Sequence, residues 1–250
     1  MNLRFHEIAE TYHRIMNPFA DEKLMHLGQI IGLQPGISVL DLACGKGEML
    51  CRWAQSFGIS GVGVDLSQLF IGAACERARE LGVDSVVQFV HGEASSYPQP
   101  EHQYDVVSCL GATGIGGGLV GTLEIMKQAL RDDYSLLLVG EPYWIDLPPF
   151  DAYAELDVDV EEFATLEGTL DRFEMVGLEL LEMVLADGDD WDRYASAQWM
   201  TVKNWLRTNP DDPDAEALRD WINQDQRAYL QYARRYFGWG VFVLRQLPLV

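Results

Sequence analysis

The sequence is poor in basic residues. Its 250 residues include 18 lysines and arginines against 39 aspartates and glutamates, which gives a formal net charge of −21. A surface of this sign repels phosphate backbones and anionic lipid head groups. Nucleic acid is therefore not expected as a partner or substrate. We interpret the late acidic runs at residues 187–190 and 211–214 as solvated loop and cap residues.

Long apolar runs are also missing. No stretch of about 18 uninterrupted apolar residues occurs, so no membrane span is expected. Residues 1–7 lack the apolar core of a secretory signal peptide. A cytoplasmic protein, without a membrane partner, is the expectation.

Metal-ligand spacing is absent as well. The histidines show none beyond the distant pair His6 and His13, so no metal site is expected. The cysteines form no C-x-x-C pair and are interpreted as reduced, buried thiols, with Cys44 in a packing role. They are Cys44, Cys51, Cys75 and Cys109.

Two apolar runs that end in acids are the most informative feature present. Residues 37–48 read Ile-Ser-Val-Leu-Asp-Leu-Ala-Cys-Gly-Lys-Gly-Glu, an apolar run that ends in Asp41 and leads through a glycine turn into a helical pattern. A second run, residues 61–65, ends in Asp65. The order strand, glycine turn, helix is typical of a cradle for a nucleotide-like ligand. The two carboxylates suit an adenosine ligand with a charged amino-acid tail.

The glycine turn differs from the dinucleotide fingerprint. That fingerprint needs glycine or alanine where this chain has Leu50. An acid at Asp41 also gives no advantage to a pyrophosphate, whereas it suits an ammonium group. A nicotinamide-dependent oxidoreductase is therefore disfavoured.

Strand and helix patterns alternate along most of the chain. Strands are predicted at residues 37–42, 60–65, 86–91, 104–110, 134–141, 178–186 and 238–247. Helices are predicted at residues 5–15, 21–31, 48–57, 67–81, 118–130 and 159–175, followed by a helical hairpin over residues 189–237. Pro142, Pro148 and Pro149 predict a loop after the fifth strand. Near-continuous apolar runs of this kind favour an α/β fold with a doubly wound parallel sheet.

The pattern D-x-A-x-G-x-G at residues 41–47 resembles the first motif of class I S-adenosylmethionine-dependent methyltransferases, with Ala43 in place of the usual first glycine. The resemblance implies a Rossmann-like, mostly parallel seven-stranded sheet whose last strand inserts antiparallel between the fifth and sixth. It also implies a helical lid at residues 1–33, an α/β domain at residues 34–188 and 238–250, and a cap at residues 189–237 inserted before the last strand. The implied cofactor is S-adenosylmethionine.

The resemblance also implies a cofactor site at the carboxyl ends of the strands. Asp65 is placed to accept bonds from the ribose hydroxyls, and Glu93 lies where the family has a polar residue near the adenine amino group. Lys46 is expected to point to solvent. The full set of predicted cofactor-binding residues is Asp41, Ala43, Gly45, Gly47, Asp65, Leu66, Glu93, Ala94, Cys109 and Leu110.

The acceptor is expected to be a small molecule, neutral or cationic. Residues 110–117 lack the Asn/Asp-Pro-Pro-aromatic motif of enzymes that methylate bases of nucleic acids. Signatures at residues 17–19, 141–144, 191–194 and 237–240 resemble a group of stand-alone bacterial methyltransferases without an assigned substrate. The predicted substrate-binding residues are Tyr143, Trp144, Trp191 and Tyr194. No general base is identified, and the candidates are Glu141, His91 and Tyr12.

Two alternatives use the same pocket. One is a non-catalytic protein that senses S-adenosylmethionine or binds a partner, and the other is an enzyme that uses this cofactor for a different group transfer. Titration with the cofactor and its demethylated product separates both from nicotinamide binders, and turnover separates an enzyme from a sensor.

Overall fold

A computed structural model describes residues 2–98 and 103–247 of the chain. Its centre is a seven-stranded sheet of order β3-β2-β1-β4-β5-β7-β6. The neighbours among β1 to β5 pair in parallel, and β7 pairs antiparallel with both β5 and β6. The predicted fold class and the inserted last strand are confirmed. The strands are β1 Ser38–Leu42, β2 Ser60–Asp65, β3 Val87–His91, β4 Val106–Leu110, β5 Leu136–Trp144, β6 Leu178–Leu185 and β7 Phe237–Gln246.

Helices flank both faces of the sheet and extend over its carboxyl edge. They are α1 Leu3–Ala9, α2 Asp21–Ile30, α3 Glu48–Phe57, α4 Gln68–Leu81, α5 Leu119–Lys127, α6 Phe150–Glu155, α7 Leu166–Met175, α8 Gly188–Thr208, α9 Ala215–Ala228 and α10 Arg234–Tyr236. Among the described residues, none of these helices has the length and apolar character needed to cross a bilayer. Residues 1 and 248–250, at the ends of the predicted lid and α/β domain, lie outside the described part.

Alternating side chains of β1 fill the core on both sides of the sheet. Val39 packs into the cluster formed with α2 and α3, whereas Leu40 and Leu42 pack into the cluster on the α5 and α7 side. All three are fully buried. Trp53 of α3 is also fully buried, and its indole N–H donates to the Leu24 carbonyl oxygen at 3.1 Å. This two-sided burial explains why the strands read as near-continuous apolar runs.

The predicted loop at Pro142 is wrong, because β5 continues to Trp144. Its pairing with β7 extends from Leu136 to Trp144, whereas its pairing with β4 stops at Gly140. Residues 141–144 of β5 therefore pair with β7 on one side but not with β4 on the other. A proline, which has no N–H to donate, is tolerated in such a position.

Several helices also differ from the predictions. The first helix ends at Ala9 instead of reaching Ile15, the helix expected from residue 159 begins at Leu166, and α6 was not predicted. Thr165 sets the start of α7, because its hydroxyl accepts from the Gly168 amide at 3.3 Å.

Candidate active site

A cavity of about 480 Å³ lies at the carboxyl edge of the sheet. Its floor is formed by the ends of β1, β2 and β4 and by the turns that follow β1 and β3. The segment after α1, residues 10–19, which we call the strap, supplies part of the wall together with the cap helices α8 and α9. Ligands in open α/β sheets bind at this edge.

The turn after β1 presents bare backbone to the cavity. Gly45 lines the cavity with a φ of 54°, and a Cβ added there would collide with the Met16 methyl group of the strap. Ala43 adopts the same left-handed region, with a φ of 58°, at the position where the family usually has glycine. Gly47 does not line the cavity: it precedes α3, and a Cβ there would meet Phe89 at 2.5 Å. A glycine is therefore required at position 47 both by this packing and by the φ of 67°.

Asp65 fixes this turn in place. One carboxylate oxygen accepts from the Gly45 amide and the other from the Ser67 amide, both at 2.8 Å. The side chain lines the cavity and the residue is buried. A carboxylate has about four lone-pair sites, so each oxygen retains capacity for a further donor.

Asp41 lines the same end of the cavity and is 4% exposed. The Ser108 hydroxyl donates to its Oδ1 at 2.8 Å. Burial raises the pKa of Asp41 to about 7, the Ser108 bond opposes this, and the charge of Asp65 adds to it. A carboxylate held under these conditions gains from a cationic partner.

Lys46 does not point to solvent, so that prediction is wrong. The residue is 8% exposed, and its Nζ donates to three backbone carbonyl oxygens of the strap: Glu10 at 2.6 Å, Thr11 at 2.9 Å and His13 at 2.9 Å. Because Lys46 lies between the two turn glycines, these bonds tie the strap directly to the cofactor turn.

A buried carboxylate holds the other side of the strap. Glu10 is 0% exposed and accepts from the Tyr194 hydroxyl at 2.8 Å and the Gln198 amide at 2.5 Å, and it pairs with His13 Nδ1 at 2.8 Å. Burial acts to raise the pKa of Glu10, but the His13 bond and charge, together with the bonds from Tyr194 and Gln198, outweigh burial and lower it. The strap is thus held between the turn and α8. Sequence reasoning missed Glu10, since an acid beside a short helix is typical of a solvated surface.

Most of the predicted cofactor residues meet at the cavity. Cys109 does not line it: this residue is fully buried in the core below. Two of the ten predicted residues, Gly47 and Cys109, therefore lie outside the cavity wall. Those that line it are Asp41, Ala43, Gly45, Asp65, Leu66, Glu93, Ala94 and Leu110.

Only two of the four predicted substrate-binding residues line the cavity. Trp191 and Tyr194 of α8 line the cavity, whereas Tyr143 and Trp144 do not. Tyr143 packs into the core cluster that contains Phe173, and Trp144 stacks on Phe237 with ring centroids 4.2 Å apart. The cause is the extra length of β5. Tyr143 and Trp144 belong to this strand and are buried, and Pro142 is the residue of this segment that lines the cavity.

None of the three candidate bases lines the cavity. Glu141 is 2% exposed, accepts from the Thr113 hydroxyl at 2.7 Å and borders a second pocket beside α5. Burial raises the pKa of Glu141 to about 7. His91 Nε2 lies 3.0 Å from the Leu66 carbonyl oxygen, and Tyr12 is 79% exposed.

Known proteins share both the sequence and this architecture. A family model described as a methyltransferase domain matches residues 39–133, and one described as a family of unknown function matches residues 172–247. The chain is 44% identical over 243 residues to the uncharacterised protein YjhP of Escherichia coli K12, covering 96% of this chain and 97% of YjhP.

Two crystal structures of proteins with a bound ligand also match this chain. A methyltransferase dependent on S-adenosylmethionine from Geobacter sulfurreducens, in complex with S-adenosyl-L-homocysteine, matches with a TM-score of 0.93 at 45% identity over 98% of each chain. The corresponding complex from Thiobacillus denitrificans matches with a TM-score of 0.92 at 43% identity over 98% of each chain. The chain belongs to the class I S-adenosylmethionine-dependent methyltransferases.

Its cofactor is S-adenosylmethionine, and the cavity of this methyltransferase fits that molecule. Gly45 contributes only backbone to the cavity wall, and the carboxylates of Asp41 and Asp65 line the cavity beside it. A ligand that carries a sulfonium, an ammonium and ribose hydroxyls matches this combination of acceptors.

Proposed function

We propose that this methyltransferase transfers the methyl group to a small-molecule acceptor held in the cavity between the strap and the cap. The observation that carries the proposal is that the strap and, from α8, Trp191 and Tyr194 line the cavity together with the predicted cofactor residues. We expect the reacting part of the acceptor to share this cavity of about 480 Å³ with the cofactor. The net charge of −21 supports a neutral or cationic acceptor over a polyanion.

When bound, S-adenosylmethionine would supply an electrophilic sulfonium methyl group for a lone pair of the acceptor, with the S–C electron pair left on sulfur. We assign Asp41 to the cofactor's ammonium, Asp65 to its ribose hydroxyls and Glu93 to its adenine amino group. The strap and cap orient the acceptor, and positioning of this kind can supply most of the acceleration. Glu141, His91 and Tyr12 lie away from the cavity, so no side chain is assigned as a base.

The test is turnover. Purified protein is incubated with S-adenosylmethionine and a panel of amines, alcohols, thiols and carboxylates, and S-adenosylhomocysteine formation and methylated products are measured by mass spectrometry. Acceptor-dependent product is the expected result. Tight cofactor binding without product across the panel would favour the sensor alternative.

Replacement of Asp65 by asparagine should weaken S-adenosylhomocysteine binding by roughly 10- to 150-fold, the equivalent of about 1.5–3 kcal/mol for bonds to a charged group. The amide cannot accept from both the Gly45 and Ser67 N–H groups, so the unfolding temperature should also fall. Calorimetry and thermal melting measure the two effects. Wild-type affinity in folded Asp65→Asn would remove Asp65 from the site.

Cofactor affinity should rise with pH through Asp41. In the ligand-free protein its carboxyl keeps its proton up to a pH of about 7, whereas a bound ammonium favours the charged form. Binding below that pH therefore releases a proton, and the affinity for S-adenosylhomocysteine should increase by up to about tenfold per pH unit between about pH 5 and 7. Calorimetry at a series of pH values measures this slope.

Asp41→Asn should flatten that slope and weaken binding. Since the folded pKa of Asp41 lies above its ordinary value of 3.8, ionisation costs stability as the pH rises through this window, and the variant should melt higher at pH 8 without ligand. Glu141→Gln is the matched control, because Glu141 shares a pKa of about 7 but lies outside the cavity. A slope retained in Asp41→Asn but lost in Glu141→Gln would contradict the assignment.

A further inference from the structure

The cap contributes one carboxylate to the cavity that the cofactor assignments leave unused. Asp225 lies on α9 and lines the cavity together with Gln198 and Tyr194 of α8. The Trp199 indole N–H donates to its Oδ2 at 2.9 Å. Within the described residues, no ion pair includes Asp225. Its charge therefore lacks a cationic partner from the chain.

The basic groups of the cavity wall are engaged elsewhere. Lys46 is bound to the strap carbonyls, and Arg14 is half exposed and lies 3.5 Å from Glu80. His6, the third basic side chain of the wall, packs edge-on against Phe70 with ring centroids 5.6 Å apart. The acid Glu48 of the wall is paired with Arg77 at 2.7 Å. Once Asp41, Asp65 and Glu93 are assigned to the cofactor, Asp225 is the acid left for a second ligand.

The surroundings of Asp225 are aromatic. Trp191, Tyr194 and Trp221 line the same cavity, and the ring of Trp221 packs against Phe5 of α1 with centroids 5.8 Å apart. Faces of tryptophan and tyrosine attract a cation, and a nearby carboxylate adds a charged hydrogen bond. Burial raises the pKa of Asp225, as expected of an acid without a cation beside it.

We propose that Asp225 is a specificity-determining residue that binds a positively charged amine of the acceptor beneath the aromatic wall of the cap. This inference rests on the proposed function, since it names the acceptor class for the same cavity. It assigns Asp225 to recognition of the acceptor and leaves cofactor binding to the floor residues.

The experiment compares two pairs of probes of matched shape: 2-phenylethylamine with 2-phenylethanol, and n-butylamine with n-butanol. Each is titrated at pH 7.5 into the full chain saturated with S-adenosylhomocysteine, with calorimetry as the readout. Each amine should bind at least about tenfold more tightly than its alcohol, the scale of a charged hydrogen bond. Asp225→Asn should abolish that preference and leave the S-adenosylhomocysteine affinity within about twofold.

The asparagine keeps an oxygen for the Trp199 N–H, so the fold should survive, and thermal melting checks this. Asp220→Asn removes the same charge from an exposed position of α9 and should keep the amine preference. Equal binding of alcohols and amines, or an amine preference that survives in Asp225→Asn, would overturn the inference. A large loss of S-adenosylhomocysteine affinity in Asp225→Asn would also overturn it, because Asp225 would then belong to the cofactor site.

Turnover distinguishes this inference from the proposed function. Methylation of each amine and its matched alcohol at equal rates, in wild type and in Asp225→Asn alike, would retain the function and refute the role of Asp225. Selective amine binding without methyl transfer to any small molecule would support the role of Asp225 and count against the proposed function.

Discussion

Substitution of Gly45 by valine should abolish S-adenosylhomocysteine binding, with an affinity loss of at least about 100-fold. Gly45 has a φ of 54°, in a region that β-branched residues rarely enter, and it contributes only backbone to the cavity wall. A Cβ there would also strike the Met16 methyl group, so the end of the Met16 side chain would have to move. Calorimetry measures the loss of binding, and circular dichroism checks that the fold remains.

Gly82→Val is the matched control for backbone strain. Gly82 has a φ of 67° but ends α4 with no atom within 4 Å of an added Cβ. This variant should lose stability and keep cofactor affinity. If both variants bound the cofactor equally well, close approach at Gly45 would not be required.

Replacement of Lys46 by methionine should release the strap. The substitution keeps an apolar stem but removes the ammonium that satisfies the carbonyl oxygens of Glu10, Thr11 and His13. Leaving a buried acceptor unpaired costs about 1–3 kcal/mol. We expect a clear fall in unfolding temperature, faster hydrogen exchange in residues 10–19 and dissociation of S-adenosylhomocysteine at least about tenfold faster.

Lys127→Met provides the comparison. Lys127 also donates to a backbone carbonyl oxygen, that of Val176 at 2.9 Å, but it lies on α5 and does not line the cavity. This variant should lose stability without a change in cofactor dissociation or in exchange of the strap. Unchanged exchange and dissociation in Lys46→Met would instead support a solvent-facing lysine, as the sequence alone suggested.

Local patterns explain why most of the predicted cofactor residues meet at the floor of one cavity. The glycine turn and the acids Asp41 and Asp65 belong to short segments in which strand, turn and helix follow one another, so their relative positions depend on few residues. Parallel pairing then brings the ends of β1 and β2 together, since Leu42 pairs with Val64. This is why eight of the ten predicted cofactor residues line the cavity.

Long-range contacts decided the parts that sequence reasoning missed. Lys46 and Glu10 are buried because the strap folds back over the turn. Lys46 is 33 residues from His13 and 36 residues from Glu10 in the sequence, yet it bonds to the carbonyl oxygens of both. Tyr143 lies in the core because β7, about 100 residues later, extends β5 beyond its proline. No local periodicity carries such information.

The position of β7 affects how the protein forms during synthesis. This strand follows all the others in the chain, yet it lies between β5 and β6 and pairs with both. Until the ribosome has released residues 237–246, two sheet edges stay unpaired, and α8 and α9 are already synthesised without a completed sheet beneath them. The cavity wall, which includes Trp239 of β7, is therefore complete only with the last strand. Chains stalled before it would expose sheet edges, which favour aggregation.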